Sequence, residues 1–267
     1  MTVTTAQYHE NERMFHGAAT RAMGTRLDIV LLDVDAETGE RLWKNSTDII
    51  DRLEGMTSKF RSDSEVTAVN RAEPMSYVYV SEEFAEMLRQ AARYCRLTEG
   101  AFDITLGGGS EFEFSGDALV IPRTRYTLDM GGFAKGYAVG VIERHLRANG
   151  VNTAFIDFGG SAIMGIGHHP CGDCWAVGVS DPYTGRTLHH MALNDSALSV
   201  SGNMPGHDCH IVNPATRRMV TGNRLSAICA ASPLDAEALS TAWLVLDTQG
   251  RRRVLQNFDI IQEFVYN

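Results

Sequence analysis

Long hydrophobic runs are missing from this sequence. No apolar stretch in its 267 residues approaches the roughly 18–20 residues that cross a bilayer, so no membrane-inserted segment is expected. The opening MTVTTAQYHENERM is polar and lacks the apolar centre of a signal peptide, which makes a cytoplasmic location the expectation. Basic charge is short too: 24 Lys and Arg face 33 Asp and Glu, a formal net charge of −9. The one basic run, Arg251-Arg252-Arg253, follows Gly250 and reads as a solvated face. An acidic chain with no other Lys/Arg cluster is a poor partner for nucleic acid. Cysteine is sparse and odd in number, with five residues at 95, 171, 174, 209 and 229. A chain of this size buries a core without staples, so reduced thiols are expected rather than a disulfide framework. Steady βαβ alternation is absent as well.

What is present is a mixture of strand and helix patterns. TRLDIVLLDV reads as a strand, and Leu42, Ile49, Ile50, Leu53 and Met56 recur at helical spacing over 38–56. TSKFRSDSEVTAVN is a polar connection with room for a short helix. Ser81 caps a helix carrying Phe84, Leu88, Ala91, Ala92 and Cys95. EFEFSGDALVIP is a hairpin around Ser115-Gly116-Asp117. RYTLDM reads as a strand entering a glycine pair, followed by a helix with Tyr137, Val141, Ile142 and Leu146 that stops at Asn149-Gly150. TAFIDF, AIMGIG, WAVGVSD, LSAICAA and FDIIQEFVY are further strands, and Ser232-Pro233 opens a last major helix running to about Asp247. The expected class is α+β, with mixed, largely antiparallel sheets flanked by helices. A polar tail, 1–18, precedes a single domain over 19–267.

Three stretches carry chemistry. LDMGGFAKGYAV (128–139) ends a strand in two glycines and a lysine, as phosphate loops do. It is neither GxxxxGK[ST] nor GxGxxG. What remains is a glycine turn, free amides at a helix start and Lys135, an arrangement suited to an anion. A tight turn with a surface lysine is the alternative. In EALSTAW (237–243), Glu237, Ser240 and Thr241 form one stripe of a helix that is apolar nearly all round. A carboxylate and hydroxyls there are hard oxygen ligands of the kind Mg²⁺ takes; a solvated stripe is the plainer reading. HHPCGDCW offers His168, Cys171 and Cys174 as half a zinc site, with His207, Cys209 and His210 as conceivable partners, or else a hairpin turn with free thiols.

In order along the chain, MGT (23–25), SDSEVTAVN (62–70), EGAFDIT (99–105), LDMGGFAKGYAV, DFGGSA (157–162), SGN…HIVNP (201–214) and EALSTAW resemble the motifs of the ApbE family of FAD:protein FMN transferases. The resemblance spans roughly residues 20 to 250. It implies an enzyme that binds FAD with Mg²⁺, breaks its pyrophosphate, releases AMP and joins FMN by a phosphoester to a Thr or Ser of an acceptor flavoprotein. An FAD diphosphatase giving FMN and AMP, or an FAD-binding relative without activity, are the alternatives on the same scaffold. By match, metal ligands would be Glu237, Thr241 and the carbonyl of Gly132, with Ser240 beside them. His210, before Ile-Val-Asn-Pro, would be the base that activates the acceptor hydroxyl. Flavin contacts would come from Met23, Phe60, Ala101, Phe102, Asp103, Asp129, Lys135 and Ile211, with Lys135 beside the pyrophosphate; Met23 and Phe102 fit a core equally well. Departures from the family pattern are Glu237 for Asp, Asn213 for Asp, Arg217-Arg218 for Thr-Gly, Phe60 for a frequent Tyr and Gly140 for an Asp.

Overall fold

The computed structural model describes residues 3–124, 126–206 and 211–266. Strands β1 (Thr4–His9), β2 (Met14–Ala22) and β3 (Thr25–Leu32) open the chain, and helices α1 (Ala36–Thr57) and α2 (Glu65–Arg71) follow. Next come β4 (Tyr77–Tyr79), α3 (Glu82–Leu97), β5 (Phe114–Ser115), β6 (Ala118–Val120) and α4 (Ala134–Ala148). The second half holds β7 (Ala154–Phe158), β8 (Ala162–Ile166), β9 (Trp175–Ser180), β10 (Thr187–Leu193), β11 (Ser196–Gly202), β12 (Val212–Asn213), β13 (Arg218–Met219) and β14 (Leu225–Ala230). Helices α5 (Pro233–Trp243) and α6 (Thr248–Val254) and the strand β15 (Ile260–Tyr266) complete it.

Eight strands form one sheet in the order β1-β2-β3-β7-β8-β11-β14-β15, every neighbouring pair antiparallel. The α+β expectation is therefore met. One sheet face packs on α1, α4 and α5. On β3, Leu27, Ile29 and Leu31 point to that side and are buried, while Arg26 and Asp28 point away, the period of two that a one-sided strand requires. Over the later strands the opposite face is covered by the β9–β10 hairpin, whose Trp175, Val179, Met191 and Leu193 pack on Ile163, Leu198, Ala227 and Cys229. This is why β14 is buried at every residue and carries no polar alternation.

The expected tail, 1–18, is corrected by β1 and β2. Phe15 lies in the core, and β1 pairs with β2 over its whole length. As an edge strand with nearly all its side chains in water, β1 leaves no apolar pattern to read. RYTLDM is not a strand among the described residues. Leu128 exchanges both backbone bonds with the Asn70 side-chain amide, at 2.7 and 3.0 Å, in place of a ladder. The last major helix stops at Trp243, and Asp247 instead caps α6 through Gly250 N at 2.7 Å. Arg251 and Arg253 are not merely solvated. Arg251 donates to the carbonyl of Trp243 at 2.6 and 3.1 Å, and Arg253 grips Glu99 at 2.7 Å. The turn after α4 does follow its sequence: Gly150 sits at φ 81° and the Val151 amide returns to Leu146 O at 3.1 Å.

Candidate active site

Helix α5 begins conventionally, with Ser232 accepting from Asp235 N at 3.2 Å and Pro233 in the first turn. Its position is unusual: α4 lies on one side and strands β11 and β14 on the other, so Glu237 and Ser240 are 3% and 0% exposed. A carboxylate in such a place needs partners. Lys135 Nζ donates to Oε1 at 3.1 Å and Ser199 Oγ donates to Oε2 at 2.9 Å. Ser240 Oγ donates to the Glu237 carbonyl at 3.0 Å. With the Ser199 and Ser240 protons so committed, Ser201 is the donor across the 2.8 Å to Ser240 Oγ. Ser201 also lies 3.3 Å from Thr241 Oγ1.

These serines follow from strand alternation. On β11, Leu198 and Val200 face the hairpin cluster, while Ser199 and Ser201 face α5. SALSVSG thus places hydroxyls at i and i+2 under a buried acid. Sequence reasoning passed over Ser199, although polar residues on alternate positions of an otherwise apolar strand were the available signal.

The glycine stretch supplies the opposite wall. Met130 O accepts from the amides of Phe133 and Ala134 at 3.0 and 2.8 Å, closing the turn into α4. That helix starts with no side-chain cap, which leaves first-turn amides open beside Lys135. Gly132 packs directly on Thr241: a methyl at Gly132 would come within 3.0 Å of Thr241 Oγ1. Gly136 is tighter still, since a methyl there would meet Glu237 Cβ at 2.5 Å and Pro233 O at 2.9 Å. The glycines therefore let α4 approach α5 until Lys135 reaches Glu237. Asp129 points to the front of the same turn, accepting from Gly131 N at 2.9 Å and from Lys59 at 2.7 Å. Lys59 was not singled out by sequence, and its ammonium also lies 5.5 Å from the ring centre of Phe60.

The other expected flavin contacts fall into two groups. Phe60 is 89% exposed beside Asp129's partner. Ala101 and Phe102 are buried, with Phe102 stacked on Phe133 at 6.3 Å, and Met23 is half-buried at φ 44° with its amide on Glu54. Asp103 binds its own loop: it accepts from Thr105 N and Oγ1, Gly107 N and Ser110 Oγ at 2.5–2.9 Å. That loop meets the Asn213-Pro214 turn, where Arg217 donates to Gly107 O at 2.8 Å. Asn213 accepts from the amides of Ala215 and Thr216 at 3.0 and 3.2 Å, a turn that an aspartate would form equally. Ile211 is buried against Val220 and Leu244, just past the end of α5. His210 lies outside the described residues. Asn203 gives its amide hydrogens to the carbonyls of Val220 and Gly222, and its buried Oδ1 has no partner among the described residues.

The residues match a divalent ion of the Mg²⁺ kind. The buried Glu237 carboxylate, the half-buried Thr241 hydroxyl one helical turn on, and the backbone of Gly132, which packs on Thr241, are hard oxygen donors on neighbouring elements. Such low-charge sets suit an ion that keeps waters and substrate phosphates as its remaining ligands. Ser240 faces β11 and is saturated, so it supports the set from behind. Among the described residues the HHPCGDCW turn offers no comparable set, and its conceivable partners His207, Cys209 and His210 lie outside them. His168 Nδ1 lies 3.0 Å from Gly172 O, His169 Nδ1 accepts from Cys171 N at 3.1 Å, and no metal-type group of three His, Cys, Asp or Glu occurs among the described residues. Cys95, Cys171, Cys174 and Cys229 are free thiols, and burial pushes Cys95 and Cys229 up.

A family model for ApbE matches residues 23–117 and 110–264. The chain belongs to the ApbE family. Among relatives, the FAD:protein FMN transferase of Salmonella typhimurium is 24% identical, covering 88% of this chain and 80% of that protein. That of Vibrio cholerae is 21% identical over 84% of this chain and 79% of its own length. Among solved structures, the apo flavinyl transferase ApbE of Pseudomonas stutzeri superposes with a TM-score of 0.76 at 20% identity, covering 96% of this chain and 88% of its own. The ApbE protein of Thermotoga maritima gives 0.74 at 20% identity, over 96% and 91%. In this member of the ApbE family, the carboxylate of α5, the glycine turn and Lys135 meet at one place.

Proposed function

We propose that this protein transfers FMN from FAD to a Thr or Ser hydroxyl of an acceptor flavoprotein, with Mg²⁺ and with release of AMP. The observation that carries the reading is the buried Glu237 carboxylate, held by Lys135 and Ser199 on a helix whose Thr241 packs against Gly132. Glu237, Thr241 and the Gly132 carbonyl would hold the ion. When bound, Mg²⁺ supplies positive charge against a diphosphate, the requirement in a reaction driven by positioning and charge neutralisation. Lys135 leans on Glu237 without diphosphate and is free to turn to a phosphate oxygen once the carboxylate has another cation. Phe60, exposed beside Lys59, is a platform for a flat ring.

The balance of the step is simple. The acceptor oxygen attacks the phosphorus on the FMN side, the P–O bond to AMP breaks, and AMP leaves with that oxygen and its electrons. The hydroxyl proton passes to a base, for which His210 is the side chain we assign. Ile211, packed on the residue that ends α5, fixes the following position of the chain next to the metal helix.

The test is incubation with FAD, Mg²⁺ and a Thr-bearing acceptor domain, read by intact mass and by AMP. An acceptor heavier by one FMN with equimolar AMP is expected, and is expected to vanish in Glu237→Gln and His210→Ala. AMP and free FMN without any acceptor adduct would replace transfer by hydrolysis, and intact FAD would end both.

A further inference from the structure

Helix α3 carries Arg89, Arg93 and Arg96 at i, i+4 and i+7, one stripe of its surface. The fold sets Arg144 of α4 opposite them, across a half-open cleft of about 560 Å³ whose end is the first turn of α5. The sequence disperses these four arginines over 56 positions (89 to 144), so an acidic chain that shows no such cluster in one dimension has one in three.

Their partners are few. Arg89 is spoken for by Glu82 and Glu86, at 2.9 and 3.4 Å, and by the ring of Phe114. Glu86 is the one carboxylate lining the cleft, and it is shared between Arg89 and Gln90. Asp235, below the rim, accepts from Tyr94 OH at 2.5 Å. The guanidiniums of Arg93, Arg96 and Arg144 make no ion pair or hydrogen bond among the described residues, and all three side chains are exposed. Three unneutralised cations facing one concavity repel each other, even in a protein whose net charge is −9. Such an arrangement attracts a compact anion of more than one charge, and planar guanidiniums match phosphate oxygens two at a time.

Size and surroundings decide between a small ligand and a polymer. The volume lies within the range of small-molecule sites, roughly 300–1,000 Å³. The basic surface does not continue along the helices: Arg147 is neutralised by Glu143 and Asp195, and Arg52 on α1 by Glu83. A nucleic acid strand would find no track beyond the cleft. We propose that the α3–α4 cleft is a second ligand site, separate from the Glu237 centre, for a small phosphate anion of at least two charges, either a free polyphosphate or the phosphate chain of a nucleotide. Tyr137, half-buried in its wall, offers a nucleoside an apolar surface that a free polyphosphate would not use.

Binding of tripolyphosphate and of ATP, each without divalent ions, would be measured by titration calorimetry. The expected result is one site that weakens as salt rises and weakens by about tenfold or more in Arg93→Glu/Arg144→Glu. The milder Arg144→Gln should weaken it in the same direction, and circular dichroism checks that both variants are folded. A charge-matched control far from the cleft, Arg71→Glu/Arg252→Glu, is expected to stay within about twofold. Tighter binding of ATP than of tripolyphosphate assigns a nucleotide, and equal binding assigns the phosphate chain alone. No binding, equal weakening in the control, or loss in Lys135→Ala with no effect of the cleft variants would each overturn the proposal, the last by placing the anion at the Glu237 centre.

Discussion

Lys135 Nζ lies 3.1 Å from Glu237 Oε1, the one ion pair that this buried carboxylate makes among the described residues. The ammonium therefore stands where a metal would compete for the same oxygen. Lys135→Met is expected to tighten Mg²⁺ about three- to tenfold while slowing FMN transfer about a hundredfold, because a competitor and a phosphate partner are lost together. Calorimetric titration of Mg²⁺ beside an AMP-release assay reads both. Weaker Mg²⁺ binding in the variant would show that Lys135 orients the carboxylate instead of competing for it.

Ser199 gives Glu237 its second hydrogen bond from the middle of a strand. Ser199→Ala removes that donor and leaves a buried carboxylate oxygen bare, at a cost of about 1–3 kcal/mol. Urea unfolding is expected to show this loss, and Mg²⁺ affinity should fall with it as the carboxylate loses its fixed rotamer. Ser199→Thr keeps the hydroxyl and should restore most of the affinity. If Thr restores nothing, size and not the hydrogen bond sets the position.

Much of this architecture is written in local chemistry. Ser81, Ser232 and Gly150 cap where their residue types say they should, and strand alternation on β3 gives the buried face directly. The misreadings have physical causes. β1 is an exposed edge with nothing apolar to mark it, and Leu128 within RYTLDM bonds the Asn70 side chain and not a neighbouring strand. At the site, the α5 stripe and the glycine turn were legible because Glu237 interrupts an apolar helix and Gly132 precedes a lysine. Ser199 carried a signal in its strand alternation, but its pairing with Glu237, like Lys59 and the spatial cluster of Arg93, Arg96 and Arg144, depends on long-range contacts that spacing along one chain does not encode.

His145 sets a pH dependence of stability. Its Nε2 is buried with no hydrogen-bond partner among the described residues, and burial, helped by the Arg41 charge, holds its pKa below the ordinary histidine value. The unfolded chain then binds a proton that the folded chain refuses, so stability rises with pH through the window between the two pKa values and falls as pH drops below about 6.5. Urea midpoints from pH 5 to pH 7.5 are expected to climb in the wild type and to climb less in His145→Gln. An unchanged slope would assign the dependence to other groups.

Gly136 and Gly140 lie one turn apart on the same face of α4, and the structure separates their roles. A methyl at Gly136 would stand 2.5 Å from Glu237 Cβ and 2.9 Å from the Pro233 carbonyl, neither of which is the free end of a flexible chain. Gly136→Ala must push α5 away from α4, so a loss of about 1–3 kcal/mol is expected, as for overpacked cores. The same shift carries Glu237 from Lys135, and transfer should fall with stability. At Gly140 the nearest atoms are Arg144 Nη1 at 3.5 Å and Pro233 Cγ at 3.9 Å, ordinary contact distances. Gly140→Ala therefore meets no clash and gains helix propensity, about 0.5–1 kcal/mol of stabilisation. Thermal or urea unfolding of the two variants should move in opposite directions, with FMN transfer preserved only in Gly140→Ala. Equal destabilisation would mean that the α4–α5 approach is set elsewhere than at Gly136.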